Sequence, residues 1–213
     1  MQLLEAIQSR HSVKEFDPNV KIPREQMEEM IRLAMLAPSS INLQPWRLVV
    51  VESEQAKQKL SGKLMFNETQ LATSAAMILV LADMQHPAYA DTIFSQSVEQ
   101  GVMTQEVKDY YLDFVKTVRA TAGDQKLREQ GIMDANLMAM QLMLIAKQFG
   151  YDTNAIGGFE RDNVLKALDI DPTRYVPVMF IAIGKGAKEP RLSSRLPLDY
   201  TVSWNDGLGF KQP

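Results

Sequence analysis

The sequence predicts a mixed fold of helices and strands, α/β or α+β, on three observations. Short apolar, β-branched runs recur at residues 48–51, 77–82 and 176–183, as buried strands require. Segments with apolar residues three and four apart lie between them. Of the 213 residues, 46% are hydrophobic and 23% charged, enough apolar content to bury a core. The length suits one domain, so a single unit over 1–213 is expected.

The elements follow in order. Leu3, Leu4 and Ile7 share one face of a short opening helix, and Pro18 ends that stretch. Pro23 sits where a first helical turn tolerates a missing N–H. Met27, Met30, Ile31 and Ala34 follow at helical spacing, and Pro38 closes that helix. A stiff polar loop over 38–45 leads to the first strand. A helix over 54–60 breaks at Gly62, and 77–82 is the second strand. Residues from about 88 to 130 form a charged helical excursion, interrupted at Gly123 and carrying an aromatic patch of Tyr110, Tyr111 and Phe114. That patch suits either a lid or ordinary packing. The next helix, 132–149, is apolar nearly all round, with Leu137, Met140, Leu144 and Ile145 outside its main face. Such a helix is buried on several sides, which a subunit interface would explain. Gly150 caps it. Residues 154–159 read as a glycine-bearing turn, 161–168 as a short helix and 176–183 as the third strand. The tail, about 190–213, has little helical pattern, yet Leu196, Leu198, Trp204 and Phe210 make it too apolar for plain disorder. It is expected to pack on a partner chain.

Composition excludes several classes. There are no cysteines, which rules out disulfides, zinc–thiolate sites, iron–sulfur clusters and thiol catalysis; no metal site is expected. The net charge is −3, with both signs scattered, so no basic stripe offers itself to nucleic acid. The start, MQLLE, lacks the segments of a signal peptide. No apolar run approaches the roughly 18 residues of a membrane span. A soluble, cytoplasmic protein is expected. No glycine fingerprint joins a first strand to a helix, which argues against a dinucleotide-binding doubly wound fold.

Four constellations could carry chemistry. In Arg10-His11-Ser12-Val13-Lys14, residues 10, 12 and 14 point the same way if the segment is extended. Two cations and a hydroxyl suit a phosphate, although a solvated basic turn is the plainer alternative. The stiff segment Pro38-Ser39-Ser40-Ile41-Asn42-Leu43-Gln44-Pro45-Trp46 could frame a planar ligand, or simply connect helix to strand with Trp46 in the core. Gly157 and Gly158, between Ile156 and Phe159, would let the backbone approach a ligand, or form a turn. Arg191, Ser193, Ser194 and Arg195 could complete an anion site, or form a basic loop.

Taken in order, RHSVK at 10–14, PSSINLQPW at 38–46, IGGF at 156–159 and SSRLP at 193–197 resemble the FMN-dependent nitroreductase family over nearly the whole chain. The resemblance implies an α+β, sandwich-like fold with a mostly antiparallel central sheet flanked by helices. It implies an intertwined homodimer with FMN at the interface, and NADH or NADPH as electron donor to small planar acceptors. Arg10 and Ser12 match positions that bind the FMN phosphate and ribityl chain, and Lys14 matches a lysine near the pyrimidine edge. His11 and Ile156 belong to the same motifs. Pro38, Ser39, Ser40 and Asn42 match a loop laid on the cofactor by the other subunit. Asn67 matches an asparagine at the pyrimidine edge, Gly157 and Gly158 a turn beside flavin N5 and O4, and Arg195 a late phosphate-binding arginine. Gln70 and Ser193 stand where some relatives have lysine. The flavin would carry the chemistry, with no catalytic side chain required. The same fold hosts flavin or enoate reduction, dehalogenation and flavin degradation. Non-enzymatic FMN storage or sensing, and a plain helical interaction module, are the other classes compatible with the residues.

Overall fold

The computed structural model describes residues 2–212. Strands β1 (Trp46–Val51), β2 (Ala76–Asp83), β3 (Asp152–Ile156) and β4 (Tyr175–Gly184) form one antiparallel sheet in the order β1-β2-β4-β3. Helices α1 (Leu3–Ser9), α2 (Arg24–Ala34), α3 (Glu54–Leu60) and α8 (Arg161–Ala167) fall where apolar spacing and capping place them. Pro23 is the residue before α2 rather than inside its first turn.

The expected glycine turn at 154–159 is corrected in its first half. Residues Asp152–Ile156 are a strand, so the sheet has four strands rather than three. The segment DTNAI holds few β-formers and two turn-prone residues. Pairing makes it a strand: Thr153 lies opposite Ile183, Asn154 opposite Ala182 and Ile156 opposite Phe180. α4 (Glu68–Thr73) was not expected either, being too short for a periodic signal. The excursion resolves into α5 (Ala90–Glu99) and α6 (Gln105–Thr121). α7 runs over Gly123–Gln148, starting nine residues before the expected 132. Gly123, at φ +69°, marks the break between α6 and α7, and the good helix formers after it extend α7 backward.

β2 is buried along its whole length, because both sheet faces are covered. Ile78 and Val80 face a core with Met30 of α2 and Met138, Ala139 and Leu142 of α7. Met77, Leu79 and Leu81 face a second core with Leu60, Leu71, Val164 and Phe180. A Cβ on Gly131 would lie 3.3 Å from that of Ala82, so α7 approaches β2 closely there. The central pair contains one irregularity: Val80 pairs with Met179 but Leu81 with Pro177. A proline, which cannot donate to the ladder, belongs at such a bulge. At the far end of α7, Gly150 (φ +82°) accepts the left-handed turn, while Gly150 N donates to Lys147 O and Tyr151 N to Ala146 O.

Among the described residues, no helix is long and apolar enough to cross a membrane. The tail is exposed through most of its length; its helix, α9, covers only Leu198–Thr201.

Candidate functional site

Residues 10–16 leave α1 and run alongside the sheet. Arg10 ends α1, its N–H donating to Ala6 O at 3.0 Å. Ser12 then bridges Thr153 in parallel, and Val13 N donates to Thr153 O at 3.1 Å. Phe16 N donates to Thr73 Oγ1 of α4, and Phe16 bridges Gly186. The segment is therefore extended and alternates as expected: Val13 is buried, while Ser12 and Lys14 are exposed and His11 and Arg10 half-buried. Ser12 and Lys14 line a cavity of about 450 Å³ together with Lys188 and Arg191. Arg191 lines this cavity, and Arg195, which the resemblance matches to a late phosphate-binding arginine, does not. Arg195 turns onto its own segment, donating to Ser193 Oγ and Ser194 O at 2.8 Å each.

The same segment is tied to α4 and β3, and these carry the next three residues. Asn67 Nδ2 donates to Met65 O at 2.7 Å and to Gly158 O at 3.2 Å. Gln70 Nε2 donates to Asn67 Oδ1 at 3.0 Å. Asn67, Gln70 and Gly158 thus form one hydrogen-bonded corner, although residues 67 and 158 are 91 apart in sequence. Gly157 has open space where its Cβ would be. Ile156 is buried in the core, so it offers this corner its backbone rather than its side chain.

The loop 38–45 lies elsewhere. Ser40 N donates to Asp134 Oδ2, Gln44 N to Ser39 Oγ, and Gln44 Nε2 to Asn42 O and Oδ1. Pro38 lines an open apolar cavity of about 710 Å³ with Leu3, Leu36, Leu137, Met140 and Leu144. Trp46 is core. Backbone strain is concentrated on two of the candidate loops. Ile41, Asn42 and Gln44 have φ of 43°, 58° and 46°, and Met65 and Phe66 have 21° and 63°. Each such residue costs on the order of 1–3 kcal/mol, and such residues cluster where ligands are held.

The donor set fits a flavin mononucleotide. Lys14, Arg191 and the Ser12 hydroxyl line one cavity, as a phosphate needs, while Lys188 is paired with Glu15 there and Glu189 lines it too. Asn67 spends both amide protons on protein carbonyls, which leaves Oδ1 with a lone pair for a ring N–H. A bare glycine pair stands beside it.

Two features were not visible as motifs. Asp83 is fully buried at the end of β2, opposite the start of β4, where Arg174 Nε and Nη2 bind its two oxygens at 2.9 and 2.8 Å and Arg47 Nη2 approaches to 3.2 Å. Burial works to raise the Asp83 pKa, but the Arg174 hydrogen bond, the Gln85 N–H and Arg47 hold it below the usual carboxylate value. His86 is 2% exposed, and its Nδ1 lies 2.7 Å from Asp83 O. Burial lowers its pKa, against the opposing pull of Asp83 and Asp134.

The Nitroreductase family profile matches residues 7–185. The chain belongs to the nitroreductase family. Its members are oxidoreductases, and the fold seen here is the α+β fold that the resemblance implies. YdgI of Bacillus subtilis, which bears an NAD(P)H nitroreductase name, is 44% identical over 201 residues, covering 94% of this chain and 96% of its own. A CLA biosynthesis enone reductase from Lactiplantibacillus plantarum is 40% identical over 195 residues, 91% and 89% of the two chains. A crystal structure from Exiguobacterium sibiricum, named as a nitroreductase in complex with FMN, superposes with a TM-score of 0.94 at 38% identity, covering 96% and 98%. The family match contains every candidate residue except Arg191, Ser193, Ser194 and Arg195.

Proposed function

We propose that the protein is a homodimeric, FMN-dependent reductase that passes electrons from NADH or NADPH to a small, planar, electron-poor acceptor such as a nitroaromatic or quinone. The observation that carries this reading is the Asn67–Gln70–Gly158 corner, built on the two elements that also hold Ser12 beside the basic cavity. Bound FMN supplies two-electron redox chemistry that no side chain here possesses. Arg10, Ser12 and Arg191 bind its phosphate and ribityl chain, with Arg195 joining once the tail is ordered on a partner. Asn67 Oδ1 takes the polar ring edge, oriented by the buried Gln70 through its hydrogen bond, and His11 supports the neighbouring segment. Lys14 places positive charge at that edge and favours negative charge there. The Gly157 and Gly158 backbone lies against the ring.

The second copy delivers Pro38, Ser39, Ser40 and Asn42. Its docking surface is the apolar cavity of α1, α2 and α7, where Leu3, Leu36 and Leu137 are about half exposed or more. An apolar face of that kind marks an interface. The chain acts as one domain, with the excursion 88–130 over the site and the tail on the partner, in the cytoplasm. Donor and acceptor use one slot in turn, which gives ping-pong kinetics.

The test is the visible spectrum of the purified protein under anaerobic NADH or NADPH. A yellow protein that bleaches, and recovers its colour with a nitroaromatic or quinone, is expected. Yellow without bleaching favours FMN storage or sensing. A colourless protein that refuses added FMN overturns the cofactor. A second reading, reduction of a conjugated enone, is favoured by the L. plantarum relative. It predicts faster NAD(P)H oxidation with an α,β-unsaturated ketone than with any quinone.

A further inference from the structure

The basic cavity has two walls, and they come from opposite ends of the chain. One is Ser12 to Lys14, the other Lys188 to Arg191. Next to the cavity the two backbones pair directly. Phe16 bridges Gly186, Asp17 N donates to Lys185 O at 2.8 Å, and Ala187 N donates to Glu15 O at 3.0 Å. Beyond that short ladder the walls separate, and their spacing depends on what each is fastened to.

Both are fastened to the first two residues of β3. Thr153 bridges Ser12, and its carbonyl accepts from Val13 N at 3.1 Å. Asp152 takes the other wall: its Oδ2 accepts from Gly186 N at 3.0 Å. The ladder leaves that N–H available. Its bonds run through residues 185 and 187, so Phe16 and Gly186 form a non-hydrogen-bonded pair whose own N–H groups face outward. Phe16 N reaches Thr73 Oγ1, and Gly186 N reaches Asp152. The carboxylate is held in turn by Lys147, in the last turn of α7, which donates to Oδ1 at 2.7 Å. That partner offsets its charge, so a carboxylate near an anion site repels the anion less. Asp152 lines an adjoining cavity with Lys147 and Gly186 rather than the basic one.

We infer that Asp152 is a positioning residue for the FMN phosphate: from the start of β3 it fixes the Lys188–Arg191 wall relative to the Ser12–Lys14 wall, without touching the cofactor. This role rests on the FMN reading above. A residue that only stabilises the fold acts on every flavin alike. One that spaces the phosphate walls acts on a flavin that carries a phosphate.

The test measures dissociation constants of the full-length protein, stripped of flavin, for FMN and for riboflavin, which lacks the phosphate. Flavin fluorescence is the readout. The parent is expected to prefer FMN. Asp152→Ala should weaken FMN binding about tenfold, the worth of one charge-assisted hydrogen bond, and leave riboflavin binding little changed. Asp152→Asn, whose amide oxygen still accepts from Gly186 N, should restore the preference for FMN. Gly186→Ala should weaken FMN selectively by a few-fold, because the added Cβ stands 3.0 Å from Asp152 Oδ2 while Val13 Cγ1 is 3.5 Å away. It leaves Asp152 in place, so it decides the matter where alanine at 152 impairs folding. A parent that binds riboflavin as tightly as FMN removes the phosphate site, and the role of Asp152 with it. A parent that prefers FMN, with alanine variants that keep the preference, overturns the role of Asp152 alone. So do equal losses for both flavins, or an asparagine as poor as the alanine.

Discussion

β4 ends in two clusters of charge that behave in opposite ways. At its first residue, Tyr175 pairs with Asp83, whose carboxylate is closed off by Arg174 and Arg47. At its last, Gly184 pairs with Asp152, next to the bridge that carries Ser12 and Lys14. The first cluster satisfies itself: burial is offset by two arginines, and Arg174 also reaches Tyr89 OH at 2.8 Å. The second leaves Lys14 and Arg191 around an open cavity. Charges matched within the protein contribute to stability. Charges that converge without an internal partner await one from outside. The difference supports the proposed cofactor role of Lys14 and Arg191 without reference to any relative.

Asp83→Asn should break the comparison at its first end with the largest effect. It leaves two arginines facing a buried neutral amide, which costs about 2–4 kcal/mol. At this chain length that lowers Tm by roughly 5–12 °C, measured by calorimetry on the FMN-free protein, with little change in FMN affinity. Lys14→Ala and Arg191→Ala should do the reverse. Each weakens FMN binding about tenfold, the worth of one charge-assisted contact, and leaves the Tm of the FMN-free protein unchanged. Equal effects of all three on Tm would erase the distinction.

Much of the frame was legible because it is periodic. α2 and the later half of α7 carry apolar stripes, and β2 and β4 are unbroken apolar runs. β3 was not legible, because DTNAI becomes a strand only through its pairing with β4. The site divides in the same way. Ser12 and Lys14 followed from alternation within one segment. The contact from Asn67 to Gly158 joins distant segments, and only a family pattern could propose it. That Arg191 lines the cavity and Arg195 does not depends on the direction in which the loop after β4 turns, which no local signal encodes. The Asp83–Arg174 pair spans 91 residues, and charged residues of that kind look like any solvated ones in sequence.

Acid should sharpen the contrast on a smaller scale. The folded-state pKa of His86 lies below its usual 6.5, so the unfolded chain binds the proton more readily. Stability therefore falls as pH drops below about 6.5. Asp83 adds its loss only at still lower pH, because its folded pKa lies below the usual 3.8. His86→Gln, which cannot titrate, should flatten the slope of urea-unfolding free energy between pH 6.5 and 5. An unchanged slope would mean that His86 binds its proton equally well in the folded and unfolded chain.

The smallest change offers the cleanest separation. Gly157 has nothing within 4 Å of where a Cβ would stand, so Gly157→Ala should move the stability of the FMN-free protein by no more than about 0.5 kcal/mol. If the flavin lies against this backbone, the added methyl meets the ring, and FMN affinity drops by a few-fold, read by fluorescence titration. An alanine variant that binds FMN as the parent does would move the ring away from Gly157 and leave Asn67 and Gln70 to define its edge. Either result measures how closely the backbone approaches the cofactor, at a position where the protein's own packing makes no demand for glycine.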